Sequence, residues 1–313
     1  MATKSGSSYL FLFSAGCVAI IVCCWANCVE ANPLWTENEN QLDSQDRNEI
    51  VFEAGEPLTD EEFKSGVQGK AASIDNQGQS WEKQAHSGLV GGDLLPGITK
   101  SANKNAAAKW ANAQVPYVIS SSFSGEERQI IASAMDVYHQ KTCIRFVPRR
   151  TQSEYLKIIR SRESKDWSHY PGCWAGTKVG GVLELSLDNG CVTRSIAIHE
   201  LMHALGFGHE QQRPDQAKYI IVKYDNIEPK NHQWFKPDQP NPFNTVGRYD
   251  INSVMHYGAY TCAIDPSKPT MVTKDGRTSM GINNGPTANL YIPFLFPGHQ
   301  MDLRKLNTMY CKY

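Results

Sequence analysis

The stretch IAIHELMHALGFGHEQQRP, residues 196–214, concentrates three histidines and a glutamate in a short span. His199 and His203 are four residues apart, so on a helix both imidazoles lie on one face, about one turn apart, and can bind one ion. Gly206 follows, and glycine readily takes the left-handed backbone conformation that ends a helix. The chain can then turn sharply and bring His209 to the same ion.

Three neutral imidazoles leave a fourth coordination position open, which is typical of a catalytic rather than a structural or storage zinc site. Zinc lowers the pKa of water bound at that position towards neutrality. Glu200 can act as the general base for this water and pass the proton to a leaving amine. A His-Glu-x-x-His string also arises by chance on buried helices, but the extended His-Glu-x-x-His-x-x-Gly-x-x-His pattern is far more specific. We therefore predict Zn²⁺ bound by His199, His203 and His209.

The N-terminus carries one charge, Lys4, before Glu30, and the residues between them are apolar and small. This pattern predicts a secretory signal peptide over residues 1–31, with cleavage after Ala31 or Ala26. A signal anchor is the alternative, because the apolar stretch is nearly long enough to span a bilayer. With cleavage the protein is secreted, and no later segment is apolar enough for a membrane helix. The net charge of −1 does not indicate binding to nucleic acid or to a membrane surface.

Nine cysteines fit an oxidising compartment. Four lie in or beside the signal, and five lie in the body of the chain: Cys143, Cys173, Cys191, Cys262 and Cys311. Five is an odd number, so one body cysteine is left over after pairing, whereas cleavage after Ala26 would keep Cys28 and make the count even. The connectivity does not follow from the sequence alone.

Residues 32–104 differ from the rest of the chain because acidic side chains outnumber basic ones, whereas the reverse holds for residues 105–313. The acidic leader is either a solvated linker or a propeptide that packs on an oppositely charged body and inhibits it. We predict a propeptide at 32–104 and a peptidase domain at 105–313.

Strands and helices alternate in the first part of the body. Strands are predicted at VPYVI (115–119), CIRFVPR (143–149), YLKIIRS (155–161) and GVLELSL (181–187). A helix is predicted from Ser124, which forms a capping box with Glu127. Loops dominate after the histidine helix until GHQMDLRKLNTMYC (298–311), which predicts a closing helix. The expected fold is α+β with two lobes: a twisted sheet plus helices in the N-terminal lobe, and a loop-rich C-terminal lobe.

A second string, Ser253-Val-Met-His-Tyr257, supplies the methionine turn that accompanies the extended histidine pattern in metzincins. With Glu210 directly after the third histidine, and with HEQQRPDQAKYIIVKYDNI (209–227), residues 105–313 resemble the astacin family of zinc endopeptidases more than matrixins or adamalysins. The resemblance implies a metzincin-like fold and hydrolysis of protein or peptide substrates. No further module is expected, since the sequence ends at Tyr313 after the last cysteine.

The resemblance also implies roles for three residues near the zinc. Tyr257 would be a weak fifth ligand that swings away and stabilises the tetrahedral intermediate, rather than a merely packed tyrosine. Met255 would pack beneath the metal, where the alternative is ordinary core filling. Glu210 would bind the new N-terminus, directly or through water, once the leader is removed, where the alternative is a solvated surface charge.

The acidic leader gains a role from the same resemblance. LVGGDLL (89–95) resembles the aspartate switch of astacin precursors, in which Asp93 would occupy the open zinc position and displace the catalytic water. A solvated aspartate in a Gly-Gly-Asp turn is the alternative. A trypsin-like protease cutting after Lys104 would free Asn105 as the new N-terminus.

The resemblance pairs Cys143 with Cys311 and Cys173 with Cys191, and leaves Cys262 as the odd thiol. It makes GVLELSL (181–187) the cleft edge on which a substrate lies as an added strand. MGINNGPTANLYIPFLFPGHQ (280–300) has no counterpart of the arginine that shapes the pocket after the scissile bond, so no acidic preference is predicted. A chain of this fold that has lost catalysis and acts as a binding module or toxin scaffold is the competing hypothesis; the presence of Glu200 and every ligand disfavours it.

Overall fold

The computed structural model describes residues 55–68, 109–166, 168, 170–176, 181–238, 245–281 and 300–311. The described helices are α1 (Asp60–Val67), α2 (Gly125–Lys141), α3 (Arg194–Ala204) and α4 (Gln300–Tyr310). The described strands are β1 (Gln114–Ile119), β2 (Arg145–Pro148), β3 (Tyr155–Ile159), β4 (Cys173–Ala175), β5 (Val182–Leu187), β6 (Ile220–Val222) and β7 (Met271–Thr273). Short 3₁₀ segments lie at Ala111–Ala113, Ser161–Glu163, Glu210–Gln212, Gln216–Lys218, Tyr224–Asn226 and Pro229–Phe235. The predicted signal peptide lies outside the described residues, and no described helix is long and apolar enough to cross a membrane.

The first lobe is built on a five-stranded sheet in the order β2-β1-β3-β5-β4. The first four strands of that order run parallel, and β4 pairs antiparallel with β5. β1 is a nearly continuous buried run, which is the pattern of a parallel strand covered on both faces. The predicted α+β fold is confirmed, with four of the five strands at the expected places.

Helices α2 and α3 pack together beside this sheet, and both begin at a capped residue. Ser124 and Glu127 form the predicted capping box at the start of α2. The Thr193 side chain accepts from the backbone N–H of Ile196 at the start of α3. The Tyr138 hydroxyl of α2 donates to the carbonyl of Ile198 at 2.6 Å, so α3 is attached to its neighbour by a buried hydrogen bond.

The end of α3 is held from two distant parts of the chain. The indole N–H of Trp110 donates to the carbonyl of Ala204 at 2.9 Å. The hydroxyl of Tyr310, on α4, donates to the carbonyl of Leu205 at 2.8 Å. Carbonyls at a helix C-terminus have no partner within the helix, so these bonds satisfy groups that the fold buries and fix the place where the chain leaves α3.

After α3 the described chain is rich in loops, as predicted. Its short two-stranded sheet pairs β6 with β7 antiparallel. The sequence did not indicate these strands, because three residues are too few for a period-2 pattern to stand out.

One prediction about the sheet is wrong. GVLELSL forms β5, but β5 lies between β3 and β4, and Leu185–Leu187 pair with β4 on the side that was expected to be the edge. Among the described strands, β4 is the one at that side of the sheet. Its three residues, Cys-Trp-Ala, are too few to predict as a strand, and without β4 the sequence leaves β5 at the edge.

Part of the acidic leader packs on the body. Glu56 forms an antiparallel bridge with Ile119 at the end of β1, and α1 packs against α2. Leu58 is buried in the common hydrophobic core. At residues 55–68 the leader is therefore not a solvated linker.

Candidate zinc site

The first two histidines of the pattern lie on α3 and are completely enclosed, with exposed fractions of 2% for His199 and 0% for His203. Nδ1 of His199 lies 2.7 Å from the carbonyl oxygen of Val254, and Nδ1 of His203 lies 2.7 Å from that of Phe207. Because a carbonyl can only accept a hydrogen bond, each Nδ1 carries the proton. Each Nε2 then presents its lone pair, the arrangement that metal-binding histidines need.

The third histidine arrives through the predicted turn. Gly206 has φ of 99°, and its N–H donates to the carbonyl of His203 at 2.8 Å. This left-handed residue ends the helix and redirects the chain. His209 follows, is fully buried, and its ring centroid lies 4.7 Å from that of His203 and 5.4 Å from that of His199.

The three imidazoles fit a zinc ion. One ligand nitrogen from each ring can be chosen so that all three lie within 4.8 Å of one another. Three nitrogens around one Zn²⁺ at about 2.0–2.1 Å form such a cluster. Three buried imidazoles, two of them on rings held by backbone carbonyls, supply nitrogen donors of the kind that suit Zn²⁺.

Glu200 and Tyr257 lie in the same enclosed region. Both are fully buried. The ring of Tyr257 lies 4.7 Å from that of His209 and 5.8 Å from that of Phe235. The backbone N–H of Tyr257 donates to Oε1 of Gln211 at 3.1 Å, so the tyrosine is held next to the third histidine.

Met255 belongs to the segment whose backbone carbonyls are bonded to His199 and Glu210. It is 1% exposed, and its carbonyl accepts from the N–H of Glu210 at 2.9 Å. The methionine turn is thereby joined to the residue after His209. The structure brings together the three histidines, Glu200, Met255 and Tyr257 at one end of α3.

Comparison with known proteins assigns the family. Residues 102–311 match the family model described as Astacin, a family of peptidases. The chain belongs to the astacin family. It is 31% identical over 292 residues to zinc metalloproteinase nas-15 of Caenorhabditis elegans, covering 85% of this chain and 47% of that protein. It is 31% identical over 286 residues to the astacin-like metalloendopeptidase of Gallus gallus, covering 89% of this chain and 64% of that protein.

A solved structure supports the same assignment. The medaka (Oryzias latipes) high choriolytic enzyme 1, a hatching enzyme zinc-protease, is 32% identical with a TM-score of 0.53 and covers 65% of this chain and 94% of that one. The chain spans about half the length of several curated relatives that it matches. The two-lobed metzincin-like fold predicted from the sequence is therefore confirmed.

Glu210 has a partner that the sequence did not indicate. Its Oε2 lies 2.6 Å from Nζ of Lys305 on α4, and both side chains are almost fully buried. Its Oε1 accepts from the N–H of Asp250 at 2.8 Å, and Nε of Arg213 lies 3.7 Å away. Burial raises the pKa of Glu210 to about 7, against the lowering by Lys305 and Arg213. Glu210 is thus not a solvated surface charge; its role towards a new N-terminus stays a prediction, since Asn105 lies outside the described residues.

Sequence reasoning also missed the residue that holds the first histidine, His199, indirectly. Asp302 of α4 is fully buried; it accepts from the Ser253 hydroxyl at 2.7 Å and from the N–H of Val254 at 2.8 Å. The carbonyl of Val254 in turn fixes His199. No local pattern could reveal this link, because about fifty positions separate each step along the chain.

Two disulfides join the pairs that the resemblance implied, Cys143 with Cys311 and Cys173 with Cys191. Cys262 belongs to neither bond; it is partly buried and has φ of 57°, a left-handed conformation unusual for a cysteine. The switch residue Asp93, the predicted cut after Lys104 and most of residues 280–300 lie outside the described residues.

Proposed function

We propose that this chain is a secreted zinc metalloendopeptidase, made as a latent precursor and activated by removal of residues 32–104. The observation that carries the proposal is the enclosure of His199, His203, His209 and Glu200 at one end of α3, with two imidazoles held in the metal-binding tautomer. Family membership and the hatching enzyme zinc-protease among its relatives support it. The substrates are proteins or peptides.

The residues divide the chemistry between them. His199, His203 and His209 would hold Zn²⁺, which would supply Lewis-acid chemistry by lowering the pKa of a water molecule and polarising the scissile carbonyl. Glu200 accepts a proton from the attacking water as the water oxygen bonds to the carbonyl carbon. It then gives that proton to the nitrogen of the leaving amine as the C–N bond breaks. The Tyr257 hydroxyl donates a hydrogen bond to the oxyanion of the tetrahedral intermediate. Met255 packs beneath the ligands and keeps their spacing.

The edge strand β4 is the natural place for an extended substrate. Because Leu185–Leu187 of β5 are already paired with β4, an added strand can join this part of the described sheet only along β4. Its residues are fixed by the Cys173–Cys191 bond and by the indole N–H of Trp174, which donates to the carbonyl of Tyr170 at 2.7 Å. A rigid edge reduces the entropic cost of binding a flexible peptide.

Latency is assigned to the leader. A carboxylate of Asp93 at the open zinc position excludes the water that hydrolysis needs. A trypsin-like protease that cuts after Lys104 begins the release of the leader. Secretion follows from the signal-like residues 1–31 and agrees with the two disulfides, which persist in oxidising compartments.

The test is hydrolysis of a denatured protein by the secreted precursor, before and after limited trypsin treatment and with or without a zinc chelator. We expect hydrolysis only after trypsin and none with chelator. Asp93→Ala should show hydrolysis without trypsin, whereas the control Asp75→Ala, also in the acidic leader, should remain latent. A zinc-loaded, fully trimmed protein without any hydrolysis would refute the peptidase and favour the binding-module alternative.

A further inference from the structure

Residues 55–66 of the acidic leader, here called the anchor segment, begin with a close backbone contact to the body. The N–H of Ile119 donates to the carbonyl of Glu56 at 3.0 Å, which extends the pairing at the end of β1. A Cβ on Gly55 would overlap the carbonyl oxygen of Ile119. Only glycine lets the two backbones approach so closely, so the leader binds at a defined position on this strand.

Apolar side chains continue the contact along α2. Leu58 is 5% exposed and lies in the core of the body. The ring of Phe63 stacks on the imidazole of His139, with centroids 5.3 Å apart. A Cβ on Gly66 would lie 2.5 Å from the carbonyl oxygen of Gln129, so α1 and α2 touch backbone to backbone.

Charged groups fix the register of the anchor segment. Arg128 on α2 donates from Nε to Oε1 of Glu62 at 2.5 Å and from Nη2 to Oε2 at 3.2 Å. Nη2 also donates to the carbonyl of Pro57 at 2.9 Å. Glu62 is the same residue that completes the capping box of α1 with Thr59. The helix start and the ion pair therefore support each other.

The receiving face is separate from the zinc site. It consists of the end of β1 and of α2 side chains such as Arg128 and His139, whereas the zinc site is built from α3 and the segments that follow it. Cutting the peptide bond after Lys104 removes none of the anchor contacts.

We propose that the anchor segment holds the leader on the peptidase domain independently of Asp93, so that the cut after Lys104 leaves the leader bound as a second chain. This inference rests on the proposed latency. While the anchor is bound, Asp93 stays tethered through residues 69–92, and a tethered group acts at an effective concentration of about millimolar. Activity then requires a second event, either dissociation of the anchor or a further cut within the leader.

The experiment uses the full-length chain with residues 101–104 replaced by the recognition sequence of a highly specific protease. After complete cutting, size-exclusion chromatography reports whether the leader co-elutes with the body, and a fluorescent label on the leader reports its dissociation rate. Peptide hydrolysis is followed in parallel. Leu58→Ala is compared with Val67→Ala, a truncation just beyond the anchor segment at a side chain that is 40% exposed.

For the unmodified chain and Val67→Ala we expect co-elution and a lag before hydrolysis. Leu58→Ala should release the leader about a hundredfold faster and shorten the lag, because truncating a buried leucine weakens packing to about that extent. Both variants change only the leader, so the peptidase domain is the same in every sample.

Immediate loss of the leader from the unmodified chain, at the rate seen with Leu58→Ala, would overturn the proposal. A leader that stays bound while hydrolysis is complete at once would overturn its regulatory role. Failure of the peptidase proposal itself is distinguishable, because no sample would then hydrolyse peptide even after the leader has been removed in denaturant and the zinc-loaded body refolded, while co-elution would still report on the anchor.

Discussion

At the scale of single residues, the ion pair between Glu210 and Lys305 places two buried charged side chains next to the proposed zinc site. Both side chains are buried in a poorly solvating interior, and Lys305 is the closest cation to Glu210, with Nε of Arg213 farther away at 3.7 Å. Glu210 follows His209, and its N–H is bonded to the carbonyl of Met255. The pair therefore fixes the chain next to His209, the proposed third ligand.

Lys305→Met should lower the free energy of unfolding by about 3 kcal/mol, because it leaves the Glu210 carboxylate buried without its closest cation. Chemical denaturation of the full chain measures this. The control is Lys268→Met, which removes an exposed lysine paired with Asp265 on the surface and should leave stability unchanged. Equal effects of the two substitutions would contradict a stabilising role for the buried pair.

Much of the site at this scale could be predicted from the sequence, because His199, Glu200, His203, Gly206 and His209 lie close together in one stretch. Their spacing on a helix and the glycine turn dictate where the side chains go. Lys305 and Asp302 could not be predicted, because their partners are about fifty to a hundred positions away and only the tertiary fold brings them together.

At the scale of elements, α4 supports the proposed zinc site through hydrogen bonds behind His199. Asp302 holds the backbone of Val254, and Val254 holds the ring of His199. Asp302→Asn keeps one acceptor oxygen for the N–H of Val254, but its amide N–H faces the Ser253 hydroxyl, which must reverse its role from donor to acceptor. The loss of the charged acceptor weakens the bonds that position Val254 and, through it, His199.

We expect Asp302→Asn to bind zinc about tenfold more weakly, since partners behind metal ligands commonly tune affinity by that amount or more. Competition with a chromogenic chelator measures the affinity without reference to activity. Asp275→Asn, on an exposed turn, serves as the control and should bind zinc like the unmodified chain. Unaltered affinity in Asp302→Asn would show that α4 does not orient the ligand.

His139 gives α2 a pH dependence. Burial, followed by the nearby charge of Arg145, lowers the pKa of His139 to about 4. Its Nε2 accepts from the N–H of Phe146, which also requires a neutral ring. In the unfolded chain its pKa is about 6.5, so as the pH falls the unfolded state takes up the proton first. This contribution to stability is complete above about pH 6.5 and is lost as the pH falls towards about 4.

Between those limits the free energy of unfolding should fall by at most about 1 kcal/mol per pH unit from this group. Urea denaturation at several pH values measures the slope. His139→Gln retains an acceptor for the Phe146 N–H without a titrating ring, so its slope should be shallower. Parallel slopes for the two proteins would contradict the assignment.

Helices were easier to predict than strands because they carry longer patterns. The Ser124–Glu127 box predicted where α2 begins. β4 has only three residues, and the place of β5 inside the sheet depends on that short neighbour. Strand order arises from pairing across the chain, which local periodicity does not contain.

At the scale of the whole molecule, the two disulfides constrain very different lengths of chain. Cys143–Cys311 closes a sequence separation of 168 and joins the end of α2 to the end of α4, whereas Cys173–Cys191 closes a separation of 18 beside the sheet edge. Longer closed loops restrict the unfolded chain more.

Replacing Cys143 and Cys311 together by alanine should cost about 5 kcal/mol of stability, and the same replacement of Cys173 and Cys191 about 3 kcal/mol. Denaturant unfolding of the two double variants measures both values. A larger loss from the short loop would contradict this ordering and would indicate that native packing around β4 contributes more than the restriction of the unfolded chain.

The most direct test of the central claim, that Glu200 is the general base at a zinc held by three histidines, is to measure zinc content and kcat/KM together for trimmed protein and trimmed Glu200→Gln. The substitution keeps the size of the side chain and removes its ability to accept a proton. We predict one zinc per chain in both proteins and a kcat/KM about a thousandfold lower in Glu200→Gln. Zinc-loaded Glu200→Gln that hydrolyses peptide nearly as fast as the unmodified protein would contradict the account.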